Sequence, residues 1–114
     1  MGQLQSLELS VRLSVKNPKT SEKSVFGPGI AALCQGVRDY GSLNAAAKKM
    51  RMAYSKAWRV IKEAEETLDI QLLLRDGAHG SSLTEEGSKL LDAYHAVEEQ
   101  LTAEAQRLYE EMVG

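Results

Sequence analysis

The stretch Gly41 to Leu68, GSLNAAAKKMRMAYSKAWRVIKEAEETL, decides how the rest of the chain is read. It divides into two helical runs joined by a short turn. The first spans about Leu43 to Met50 and is opened by Ser42, a residue whose hydroxyl can accept a backbone N–H of the first turn. The second spans about Tyr54 to Leu68. Within it Ala57, Ile61, Ala64 and Leu68 recur at spacings of four, three and four, which puts them on one stripe that needs a core. Trp58 stands beside that stripe and reads as part of the core. Ser55, Arg59, Lys62 and Glu66 lie opposite, with Lys56 alongside, so the outer face is polar and largely basic. Ala45, Ala46 and Ala47 are small enough to let a crossing helix approach closely. A short alanine-rich helix, a tight turn and a longer helix with a basic outer face form the helix-turn-helix pattern, whose second helix enters the DNA major groove.

The same residues carry a family resemblance. GSLNAAAKKM, then YSKAW, then LTEEG further on, resemble the amino-terminal winged-helix domain of the molybdate-responsive (ModE-type) transcription regulators, and more distantly the LysR-type DNA-binding domain. The resemblance runs from roughly Phe26 to Leu101, most of the chain. It implies an α+β fold: a winged helix-turn-helix with a small antiparallel sheet and a long C-terminal dimerisation helix. It also implies base and phosphate contacts from Tyr54, Ser55, Lys56 and Arg59. Full-length molybdate regulators continue into an oxyanion-binding domain; the expectation here is the DNA-binding half alone, with no molybdate-binding domain in this chain and no cofactor. One departure lies inside the motif. The family usually has serine just before the YSKAW-like segment, where this chain has Ala53, and an alanine N-cap costs about 1 kcal/mol of helix stability.

Side-chain chemistry assigns roles along the motif. Arg59 can bridge two acceptors on a guanine edge, whereas Lys56 and Lys62 suit phosphates. Lys48, Lys49 and Arg51 would flank the groove and add affinity independent of sequence. From Gln35 to Lys62 there are seven basic residues against one acid, Asp39, while Glu85 to Gly114 holds eight acids against Lys89 and Arg107. A chain of net charge −2 is therefore bipolar, with a basic region able to face a phosphate backbone.

Upstream, Leu7, Leu9, Val11, Leu13 and Val15 alternate with polar residues, a period of two that predicts a strand with one buried face. NPKTSEKS, residues 17–24, reads as a polar loop. Pro28 suits a helix start, Ile30, Leu33, Val37 and Tyr40 follow at helical spacing, and Gly41 can close the helix with a left-handed cap. Downstream, the segment from Asp69 to Arg75 reads as a strand, Asp76 to Gly80 as a glycine-rich turn and Ser81 to Leu83 as the returning strand. This hairpin is the expected wing, completing a sheet with the first strand. Its candidate DNA contacts are Arg75 and His79.

Thr84 then caps a long helix with Glu85 and Glu86 in its first turn. Along it Leu90, Tyr94, Val97, Leu101, Ala105, Leu108 and Met112 form a near-heptad seam, which predicts pairing with the same helix of a second copy, the alternative being a helix packed back on its own domain. Residues 1–83 are thus expected to form the winged helix-turn-helix domain and 84–114 the dimerisation helix.

The remaining features exclude other classes. The longest apolar runs fall well short of the ~20 residues of a membrane span, and the first ten residues lack the basic-then-apolar order of a signal peptide. The single cysteine, Cys34, allows no intrachain disulfide and fits a small buried apolar role, consistent with a cytoplasmic protein. Two histidines and one cysteine without metal-ligand spacing suggest no metal site, and GPG and GAHG lack the context of a phosphate-binding loop, so an enzyme is not expected. The expected partner is duplex DNA, bound by a homodimer. The rival reading is a winged-helix module that binds another protein through its acidic long helix.

Overall fold

In a computed structural model, residues 2–77 and 80–114 are described. A 3-10 turn at Gln3–Ser6 precedes α1 (Pro28–Tyr40), α2 (Leu43–Lys49) and α3 (Tyr54–Leu68). A hairpin of β1 (Leu73–Asp76) and β2 (Gly80–Leu83) follows, then α4 (Glu85–Val113). The helix ends obey local chemistry. Pro28 sits in the first turn of α1, where a missing N–H is harmless, and Gly41 closes that helix at φ 78°. Ser42 Oγ accepts the Ala45 N–H at 3.0 Å to start α2. Thr84 Oγ1 accepts the Gly87 N–H at 2.8 Å to start α4. Ala53 leaves α3 with no side-chain cap.

The core lies where α1, α2 and α3 meet the root of the hairpin and the first turns of α4. Phe26, Leu33, Leu43, Ile61, Leu72 and Leu91 are completely buried in it. The stripe Ala57, Ile61, Ala64 and Leu68 faces inward, as its spacing requires. β2 is tied to the helices by Ser81, whose N–H donates to Gly41 O at 3.0 Å. The strands pair antiparallel in the register Leu73 with Leu83 and Arg75 with Ser81. Glu65 fixes the base of the hairpin to α3, its Oε2 accepting the Leu72 N–H at 2.7 Å and the Leu73 N–H at 3.2 Å.

Two expectations need correction. The alternating segment from Leu7 to Lys16 adds no strand: the sheet has two strands, and only an isolated bridge joins Val15 to Phe26. Leu13 and Val15 pack against the core, Leu7 and Leu9 stay exposed, and hydrogen bonds to backbone groups tie the segment to α4 instead. Tyr94 OH donates to Leu13 O at 2.9 Å, Leu9 N–H donates to Gln106 Oε1 at 2.8 Å, Gln106 Nε2 donates to Leu7 O at 3.1 Å and Tyr109 OH donates to Leu4 O at 2.7 Å. The period of two is expressed only in its second half, where Val11, Leu13 and Val15 are half-buried while the residues between them are exposed. The second correction concerns the seam of α4. Tyr94 turns into the chain's own core, edge-on to Phe26 with ring centroids 5.4 Å apart, and Leu90 packs against that core. Val97, Leu101, Leu108 and Met112 remain exposed.

The distal half of α4 therefore projects, held by the N-terminal segment rather than by the core. The radius of gyration is 16.8 Å, against roughly 13 Å for a compact chain of this length.

Candidate nucleic-acid interface

The geometry of α3 follows from its 3.6-residue period. With Ala57, Ile61, Ala64 and Leu68 fixed inward, Ser55, Arg59, Lys62 and Glu66 fall on the opposite side, and all four are exposed. Lys56 is exposed on one flank. Tyr54, Trp58 and Glu65 occupy the other flank, the one that meets the hairpin.

Every described candidate contact is at the surface: Lys48 and Lys49 on α2, Arg51 in the turn, Tyr54, Ser55, Lys56, Arg59 and Lys62 on α3, and Arg75 on β1. His79 lies outside the described residues. Among the described residues, no carboxylate pairs with Lys48, Lys49, Arg51, Lys56, Arg59 or Arg75 within salt-bridge distance; Lys62 reaches Glu65 at 3.7 Å. Six of these cations are thus uncommitted. Arg38, the other basic residue of this region, is different. It bonds Asp92 at 2.7 Å and the Ser88 hydroxyl at 2.7 Å, clamping α1 to α4.

The turn between α2 and α3 holds Arg51 at φ 55°, in the left-handed region that non-glycine residues adopt at a cost of about 1 kcal/mol. Its N–H donates to Lys48 O at 3.1 Å and the Met52 N–H to Ala47 O at 2.9 Å, so the backbone strain is offset by hydrogen bonds. Lys49 Nζ lies 5.6 Å from the centroid of the Tyr40 ring.

Trp58 is only partly core. It packs against the core cluster, yet Arg75 Cζ lies over its ring at 4.4 Å, Lys62 Nζ is 6.0 Å from the centroid and Tyr54 meets it edge-on at 6.4 Å. The indole Nε1 is buried without a hydrogen-bond partner among the described residues. Sequence reasoning assigned Trp58 to the core and missed its second role, because the contact depends on where the hairpin folds back. Glu65 was missed as well; a carboxylate on a helix flank gives no sign that two strand N–H groups will reach it.

The model of the bacterial regulatory helix-turn-helix protein, lysR family, matches residues 32–88, half of the chain. This chain belongs to the lysR family. No curated protein matches it. The lysR-family region begins inside α1, takes in α2, α3 and the hairpin and ends in the first turn of α4, so it contains every candidate DNA contact. A lysR-family helix-turn-helix domain indicates a DNA-binding transcription regulator. Among the described residues, no helix is long and apolar enough to cross a membrane, and no group of three or more His, Cys, Asp and Glu side chains is placed to hold a metal ion.

Proposed function

We propose that the chain binds duplex DNA as a homodimer in the cytoplasm, with α3 as its recognition helix, and that it is akin to the ModE-type regulators. The ModE-type kinship rests on GSLNAAAKKM and YSKAW, and sensing of molybdate is not part of the proposal. The observation that carries the DNA reading is the exposed outer side of α3, where Lys56 and Arg59 have no carboxylate partner among the described residues and Lys62 has only the 3.7 Å contact to Glu65, with Lys48, Lys49 and Arg51 preceding it. Arg59 reads base edges in the major groove. Lys56 and Lys62 meet phosphates, and the α2 and turn cations add contacts on the flanking backbone.

The dimer reading is supported by α4. Val97, Leu101, Leu108 and Met112, at 46, 44, 47 and 86% exposure, recur at spacings of four, seven and four on its projecting half. A row of large apolar side chains of this kind calls for a partner surface. Pairing of two such helices would present two copies of α3 to successive turns of a palindromic site.

The test is a salt-dependent titration of the protein against the DNA upstream of its own coding sequence and against a random duplex. Tight binding to the first, falling steeply with salt, is the expected result. Arg59→Ala should lose preference for the specific site, whereas Lys62→Ala should weaken both duplexes alike. No binding to either duplex by a folded protein at low salt would leave the protein-interaction module as the better account of this fold.

A further inference from the structure

The flank of α3 that meets the hairpin holds an arrangement that a simple wing does not explain. Arg75 is the cation of β1, and its guanidinium lies over the Trp58 ring at 4.4 Å instead of extending from the hairpin. A guanidinium over an indole face is held by the ring quadrupole while its N–H donors need partners elsewhere. No hydrogen bond or ion pair takes those donors among the described residues, and Arg75 is exposed. Lys62 comes within 6.0 Å of the same ring, so two cations gather at one indole. Lys62 also reaches Glu65 at 3.7 Å, which leaves Arg75 as the cation of this pair without a carboxylate partner among the described residues and open to an anion. Tyr54 supports the ring edge-on, and Glu65 holds the hairpin root to the same flank through the Leu72 and Leu73 N–H groups.

We infer that Trp58 is a positioning residue for DNA binding: it holds Arg75 of the hairpin against α3, so that Arg75 and Lys62 together engage the phosphate backbone bordering the major groove. The inference rests on the DNA-binding reading of α3 and adds to it. The hairpin's cation then serves the same groove as the recognition helix, and the strand and helix act as one surface.

The experiment has an arm without DNA and an arm with it. Trp58 is the chain's only tryptophan, so its fluorescence reports the stack directly. Arg75→Ala should increase acrylamide quenching of Trp58 in the free protein; unchanged quenching would overturn the inference whatever the DNA data show. With DNA, Arg75→Ala should reduce the salt slope by about one phosphate contact. The ratio of affinities at 50 and 200 mM salt would then shrink by about threefold, on specific and random duplex alike. Trp58→Leu should give the same loss, and Trp58→Leu with Arg75→Ala should lose no more than either alone. Trp58→Phe, which keeps an aromatic face, should retain most of the slope. A merely structural tryptophan would lower the melting temperature and leave the slope intact, and additive losses in the double variant would also overturn the inference. If the wild-type chain binds no duplex at all, the DNA reading fails first; if it binds and the cycle is additive, only the role of Trp58 fails.

Discussion

Gly36 of α1 lies so close to Ala46 of α2 that a Cβ on the glycine would stand 2.5 Å from the alanine Cβ. The two helices cross at this point because neither side chain extends past a methyl group. Gly36→Ala should therefore force the helices apart and destabilise the fold by about 1–3 kcal/mol, the usual range for overpacking. Thermal unfolding followed by circular dichroism would measure it. A melting temperature equal to or above that of the parent would show that the crossing can relax.

Ala53 precedes α3 with extended backbone, φ −62° and ψ 140°, but offers no side-chain acceptor. Ala53→Ser should supply one and raise stability by about 1 kcal/mol. Urea unfolding at an unchanged m-value would register the gain. The hydroxyl also adds a donor beside the start of α3, so a small increase in DNA affinity should accompany it.

Leu101 and Leu108 are exposed on the projecting half of α4, away from the core. Leu101→Glu combined with Leu108→Glu should leave the domain folded and shift a dimer to monomer in sedimentation equilibrium. DNA affinity should fall with it, since two half-sites would no longer be held together. A variant that remains dimeric would place the interface elsewhere.

Cys34 is buried in α1, and burial, reinforced by the Glu65 charge, pushes its thiol up to about 12. Reaction with a thiol reagent near neutral pH should be very slow in the folded protein and fast in denaturant. Because the folded value lies above the unfolded one, the neutral thiol's contribution to stability is complete below about pH 9 and is lost as pH rises towards 12. Stability curves of the parent and Cys34→Ala should therefore converge across that alkaline window. Curves that stay parallel would show that the thiol does not titrate with unfolding.

Where local chemistry marks an element, the sequence already bounds it. Pro28 and Gly41 bracket α1, and the inward stripe from Ala57 to Leu68 orients α3 before any coordinates are known. The alternating segment before Lys16 reads as a strand with one buried face, but only Leu13 and Val15 reach the core while Leu7 and Leu9 stay exposed, because a period of two fixes neither a pairing partner nor how far the cover extends. On α4 the heptad reading favoured Leu90 and Tyr94 as a seam to a second copy, while the core takes Leu91 and Tyr94, which share one face at a spacing of three. At the interface, the exposed cations of α2 and α3 could be listed from spacing alone. The grip of Trp58 on Arg75 and of Glu65 on the hairpin root could not, since each depends on how the hairpin folds back onto α3.

The bonds from Leu4, Leu7, Leu9 and Leu13 to α4 reach across most of the chain. A nascent chain emerges from its N-terminus, so these leucines have no lasting partner until the final helix is made. Contacts of such long sequence separation form late and slowly. During that interval the leading segment is open to other molecules, which is when aggregation competes. The hairpin and the first three helices, whose contacts are mostly between neighbours, can assemble earlier. The segment along α4 is thus a final clasp, and its closure should be the slow phase of folding.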